Sequence, residues 1–153
     1  CISSAASDVY KRQDIDISLK EIKRISKTNS KFVNVSILWD YFRFYGPEKE
    51  INDLIHDAFR AHCFHQMLPL DLNGKLKKLG YKNISSQNLS YLITNRDNNS
   101  PAIFYETMLS KFALSQGVSE DKVDDWKKQL NKSEKVGNFG FTSFPVLTAA
   151  YLG

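Results

Sequence analysis

The alternation of apolar and polar positions centres on one short run, KFVNVSILWD, from Lys31 to Asp40. Phe32, Val33, Val35, Ile37 and Leu38 make it nearly continuous and rich in β-branched residues, which predicts a strand buried on both faces. Upstream, Leu19, Ile22 and Ile25 recur at helical spacing. Ser18 stands three residues before Glu21, as in a capping box, so a helix starting at Ser18 is expected. Thr28-Asn29-Ser30 then turns the chain into the strand, with Asn29 able to take a left-handed conformation.

Downstream, Gly46-Pro47-Glu48 predicts a helix start with Pro47 at the first helical position, followed by a stripe of Ile51, Leu54, Ile55, Ala58 and Phe59. Met67 to Pro69 breaks that pattern. Asp71 is placed to cap a short helix with Leu72, Leu76 and Leu79 inward, ended by Gly80. Asn83 to Thr94 reads as a strand and Asn95 to Ser100 as a polar loop. Pro101 opens a helix with a Phe104, Met108 and Phe112 stripe, ending at Gly117. Ser119 caps another, with Val123, Trp126 and Leu130 inward, ending at Gly137. Phe139 to Leu152 reads as a last strand, and Pro145 predicts an edge or a bulge in it.

The expected fold is therefore α/β, with about three strands and about five helices in an incomplete layer. The Lys31 strand is too apolar for an edge, so sequence upstream of it is expected to supply a neighbour. The first residues, CISSAASDVYKRQ from Cys1 to Gln13, resemble a translated adapter scar of assembled transcriptomes and bury little apolar surface. They are set aside as a leader that is non-native or disordered, leaving residues 14–153 as the domain. Because the chain opens on Cys1 and not on methionine, the true N-terminus is expected to lie further upstream.

Composition narrows the class. Hydrophobic content of 42% and charged content of 25% are those of a globular protein, and no segment approaches the ~20 apolar residues of a membrane span. The net charge of +4 is spread over residues interleaved with acids, such as Lys20, Glu21, Lys23 and Arg24. That is a solvated helix face, not a nucleic-acid stripe. Neither a nucleic acid nor a membrane is expected as a partner. Two cysteines cannot make a disulfide framework, which suits a reducing compartment such as the cytoplasm.

No GxGxxG, P-loop, GxSxG or CxxC motif occurs, so no phosphate or nucleotide cradle is expected within these residues. His62-Cys63-Phe64-His65 places two histidines at i and i+3. With no third or fourth ligand at a telling spacing, the reading is one His capping a helix end and one exposed, not a metal site. Trp39-Asp40, with Phe42, Phe44 and Tyr45 after it, is an aromatic loop beyond a strand end, where ligands of open α/β sheets sit. It can wall a pocket, with Asp40 orienting a polar group, or pack under the next helix. Asn95 to Asn99 is a polar loop able to bind a polar ligand or simply be solvated.

Taken together, Leu19-Lys-Glu21-Ile-Lys-Arg24-Ile, a turn, and Lys31 to Asp40 resemble the second half of class I S-adenosylmethionine-dependent methyltransferases. Lys27-Thr28-Asn29-Ser30 stands where that family has a Lys-Pro-Gly-Gly turn. Ala61-His62, Leu79-Gly80-Tyr81, and Asp125-Trp126 ahead of Gly137-Asn-Phe139-Gly-Phe141 resemble the small-molecule branch that includes arsenite- and quinone-type enzymes.

The resemblance covers Asp14 to Gly153. It implies the C-terminal part of a Rossmann-like sheet, with the last strand antiparallel between the two others. It implies S-adenosylmethionine as cofactor of the complete protein, a small-molecule methyl acceptor, and no cofactor-binding residue here. The residues expected to shape the acceptor pocket are Trp39, Asp40, Phe42, His62 and Asn95, with no catalytic residue assigned. Two other readings compete: a small autonomous α/β binding module, and a metal-dependent hydrolase on His62 and His65. An uncovered apolar flank on the Lys31 strand favours the methyltransferase part over the autonomous module.

Overall fold

The structure, a computed structural model, describes residues 14–153, so the leader assigned to residues 1–13 lies outside the described residues. The chain divides into two compact units. One comprises the chain through Tyr41 with Cys63–Ser90 and Phe144–Gly153; the other comprises Phe42–His62 and Tyr91–Ser143.

The first unit holds helix α1 (Ile15–Ile25), strand β1 (Lys31–Ile37), a 3₁₀ turn (Trp39–Tyr41), helix α3 (Leu68–Lys78), strand β3 (Tyr81–Asn88) and strand β6 (Pro145–Leu152). The second holds β2 (Arg43–Tyr45), α2 (Lys49–Arg60), β4 (Tyr91–Ile93), α4 (Pro101–Ser115), α5 (Glu120–Lys135) and β5 (Gly140–Ser143). The fold is mixed α/β, with two three-stranded antiparallel sheets among the described residues.

In the first unit the order is β1-β6-β3, so the last strand runs antiparallel between the other two, as the resemblance implies. Pro145, expected at an edge or a bulge, instead begins this central strand, a position that tolerates a missing N–H. Phe32 and Tyr81, on the two flanking strands, meet edge to face with ring centroids 5.6 Å apart, and Ala150 opposite Phe32 leaves them room. Ile15 and Leu19 of α1 and Leu68, Leu72 and Leu76 of α3 complete this core. Each isoleucine, leucine or phenylalanine side chain buried there contributes about 1.5–3 kcal/mol.

Strand β1 departs from expectation. Its burial alternates and is not continuous on both faces; among the described residues it lies at the edge of its sheet, in keeping with a neighbour expected from upstream sequence. Phe32, Asn34 and Ser36 face the helices, whereas Val33 and Val35 remain 42% and 45% exposed. The continuous apolar run conceals this because the inward positions include two small polar residues.

Local chemistry explains other boundaries. Asp14, not Ser18, caps α1: its carboxylate accepts from the Ile17 N–H at 2.9 Å. Pro47 precedes the cap Glu48, so it lies outside α2. Met67 and Pro69 start α3 where a break was expected, and Asp71 lies in the first turn. Asn29 has φ +62°, and Gly80, Gly117 and Gly137 all end helices at positive φ. Asn83, at φ +51°, forms the irregularity in β3 between Lys82 and Ser85. The two long expected strands each split, into β3 and β4 and into β5 and β6.

The second unit packs β2-β5-β4 against α2, α4 and α5 around Phe44, Ile55, Leu109, Trp126 and Phe141. Its core carries polar groups with assigned partners. The Phe44 N–H donates to His56 Nε2 at 3.1 Å, Asn52 Nδ2 donates to the Phe44 carbonyl at 2.8 Å, and Trp126 Nε1 donates to Asn52 Oδ1 at 2.9 Å. Strand β2, helix α2 and helix α5 are thereby stitched through one asparagine.

Burial, then the Arg43 charge, pulls the His56 pKa down to about 3, against an opposing contribution from Asp53. The folded chain keeps this ring neutral while the unfolded chain protonates it near pH 6.5, so stability is present above that pH and is lost as pH falls toward 3. Acidification from pH 7 to pH 5 is expected to cost roughly 2 kcal/mol through His56. Urea titrations at both pH values check this. His56→Phe should flatten the difference, and an unchanged difference would contradict the assignment.

Candidate functional site

The end of β1 is built by backbone pairing. The Leu38 N–H donates to the Phe144 carbonyl at 3.0 Å and the Trp39 N–H to the Gln66 carbonyl at 2.9 Å. The Tyr41 N–H donates to the Leu38 carbonyl at 3.1 Å, closing the 3₁₀ turn. Gln66 is itself held by its Nε2, which donates to the Cys63 carbonyl at 2.6 Å. The Tyr41 and Phe144 rings sit 5.3 Å apart. Trp39 is half-buried, and Asp40 and Tyr41 are exposed. The strand end thus presents a fixed backbone, aromatic faces and one carboxylate, a combination suited to seating a flat or cationic small molecule. The amides of Leu38, Trp39 and Tyr41 are already donated within the chain.

The other three expected residues lie in the second unit. Phe42 is buried, with ring centroids 4.8 Å from Phe141, 5.2 Å from Tyr105 and 5.9 Å from Phe59. His62 stacks on Phe59 at 4.1 Å, and its Nδ1 lies 2.6 Å from the Phe59 carbonyl. Since a carbonyl only accepts, Nδ1 carries the proton there. Phe42 and His62 thus share Phe59 as a neighbour. Asn95 is exposed, and its carbonyl accepts from Ser100 Oγ at 2.9 Å.

Next to Asn95, Arg96 anchors its loop. Arg96 Nε donates to Glu106 at 3.1 Å, a second guanidinium nitrogen also binds Glu106, and Nη1 donates to Asn131 at 2.6 Å. The Arg96 N–H donates to Glu134 at 2.6 Å, and the guanidinium lies over Phe139 at 5.7 Å. A cleft of about 500 Å³ in the same unit is lined by Gly46, Glu48, Lys128, Gln129 and Ser133, and contains none of the expected residues.

Sequence reading missed Tyr41, Gln66 and Phe144 at the strand end, and Asn52, His56, Arg96 and Glu106 in the second unit. For Asn52 and His56 a signal existed: they fall at i and i+4 beside the apolar stripe of α2. Among the described residues no three His, Cys, Asp or Glu side chains are grouped as a metal site needs. No described helix is long and apolar enough to cross a membrane.

No protein-family profile and no curated protein matches this chain. Among solved structures it is similar to a proposed methyltransferase of Bacillus halodurans, at 11% identity and a TM-score of 0.49. That similarity covers 95% of this chain and 66% of the other. It is also similar to the YcgJ protein of Bacillus subtilis, at 13% identity and a TM-score of 0.49, covering 94% of this chain and 60% of the other. The chain therefore spans less than two thirds of the length of either structure, and similarities at this level define no family for it.

Proposed function

We propose that this chain is the acceptor side of an S-adenosylmethionine-dependent methyltransferase acting on a small molecule in the cytoplasm, completed by strands upstream of it. The observation that carries this is the sheet order β1-β6-β3, with an antiparallel last strand between two parallel ones, ending β1 in Trp39-Asp40-Tyr41. Among the described residues the outer edge of β1 is open, and with its exposed valines this supports a sheet that continues with upstream strands over a small autonomous module.

The cofactor would supply an activated methyl group. Its cradle is proposed to lie in the upstream sequence. What this chain's residues do is orient the acceptor. Trp39 and Tyr41 offer ring faces, and Asp40 aligns a polar or cationic group. Rate then comes from positioning, which needs no dedicated base in this segment.

In the enzyme joined to its upstream sequence, Trp39→Ala is expected to raise KM for the acceptor by roughly tenfold while leaving cofactor affinity within about twofold. Steady-state kinetics with isothermal titration of the cofactor separates the two. Equal losses in both would remove Trp39 from the acceptor pocket.

A further inference from the structure

The cleft of about 500 Å³ in the second unit lies between α5 and the turn that joins β2 to α2, and its volume is that of a small-molecule site. Asp125, Lys128, Gln129, Lys132 and Ser133 recur at helical spacing and make one wall. Gly46 and Glu48 make the other.

The two walls are locked together. Gly46 has φ +122°, and a Cβ on it would lie 2.3 Å from Ser133 Oγ, so only glycine lets the turn come this close to α5. The Glu48 N–H donates to Gln129 Oε1 at 2.8 Å, and Gln129 Nε2 donates to Asp125 Oδ2 at 3.3 Å. Ser133 Oγ donates to the Leu130 carbonyl at 2.8 Å. The floor is therefore built, and its polar groups are engaged. Recognition is left to the charged side chains around it.

Four charged side chains line the cleft: Lys128 and Lys132, with Asp125 one turn before Lys128 on the same helix face, and Glu48 across from them. Elsewhere Lys49 pairs with Asp53 and Lys75 with Asp16. Among the described residues Lys128, Lys132 and Glu48 make no ion pair. Lys128 and Lys132 stand at i and i+4, a like-charge spacing that repels until an anion comes between them. Two positive and two negative groups sum to zero. A ligand of one sign alone is attracted by half of the lining and repelled by the other half, whereas a ligand carrying both signs satisfies all of it.

Spacing sets the length of that ligand. Asp125 and Lys132 lie two helical turns apart, ~10 Å along α5. An extended peptide of about three residues spans a similar distance between its ammonium and its carboxylate.

We infer that this cleft binds a short peptide of about three residues by its two free ends, the carboxylate at Lys128 and Lys132 and the ammonium at Glu48 and Asp125. Binding needs neither methyl donor nor methyl acceptor, so it is tested apart from the methyl-transfer reading. The probe is trialanine, titrated into the isotope-labelled full chain by nuclear magnetic resonance. The Gly46 amide and the Gln129 side-chain amide report on the two walls.

Saturable one-to-one shifts at both reporters are expected. N-acetyl-trialanine and trialanine amide, which each lack one end charge, should bind roughly tenfold more weakly or worse. Lys128→Gln with Lys132→Gln should erase the preference for trialanine over its amide. Glu48→Gln with Asp125→Asn should erase the preference over the acetylated form. Circular dichroism checks that both pairs of exposed substitutions leave the fold intact. Absence of saturable shifts at the two reporters, or equal binding of free and capped peptides, would overturn the inference. So would inorganic phosphate binding as tightly as trialanine, which would make the cleft a plain anion site.

Discussion

Arg96→Ala is expected to destabilise the second unit by about 3–5 kcal/mol, the range for removing one partner of a buried ion pair. The side chain of Arg96 is 3% exposed and that of Glu106 is 11% exposed. Removing the guanidinium leaves the Glu106 carboxylate without its cation and leaves Asn131 without its donor. The Glu134 contact to the Arg96 N–H survives, because it is made by the backbone.

The decisive control is the pair Arg96→Met with Glu106→Leu. Replacing both charges by apolar groups of similar volume should cost much less than the single change, because the one carboxylate that still loses the guanidinium, Glu134 at 3.5 Å, is about one-third exposed and stays solvated. Urea unfolding followed by Trp126 fluorescence, in a Trp39→Phe background, reports on this unit alone, since the chain has only these two tryptophans. A single-variant loss under ~1 kcal/mol would mean that water reaches the pair and that it behaves as a surface bridge. Arg96 fastens the loop that carries Asn95, so the variant should also loosen that loop.

Several elements were legible because their causes are local. Left-handed turns need residues that tolerate positive φ, and Asn29, Gly80, Gly117 and Gly137 supply them. The Val123, Trp126 and Leu130 face of α5 was readable from spacing alone, and all three are buried. The Rossmann-like order of β1, β6 and β3 came from the resemblance and not from periodicity.

What was not legible depends on tertiary partners. Helix α4 is apolar on more than one face, so Phe104, Met108 and Phe112 competed with Ala102, Leu109 and Ala113 for the core. Ala102, Leu109 and Ala113 are buried, Met108 and Phe112 are half-buried, and Phe104 is 66% exposed. Glu106 lies on the buried face as well, and the distant Arg96 makes its burial tolerable. Strand β2 was hidden because three residues are too few for a period, although Phe42 and Phe44 alternate inward. Trp39 and Asp40 were named from the strand end, and they lie in the 3₁₀ turn that follows β1. Gln66 and Phe144 could not be named, because they reach Trp39 and Leu38 through backbone carbonyls, which carry no sequence signature.

The proposed role requires that this chain hold the acceptor and not the cofactor. S-adenosylmethionine is expected to find no site on it. Binding such a cofactor needs free amides at a glycine-rich turn and an acid for the ribose. After β1 there is Leu38-Trp39-Asp40, without glycine, and the amides of Leu38, Trp39 and Tyr41 are donated to carbonyls.

Isothermal titration of S-adenosylmethionine, first into this chain and then into the chain joined to its upstream coding sequence, tests this most directly. No heat above dilution is expected from the first titration, and a saturable one-to-one isotherm is expected from the second. Micromolar binding by this chain alone, or none by the extended chain, would contradict its assignment as the acceptor side of a methyltransferase.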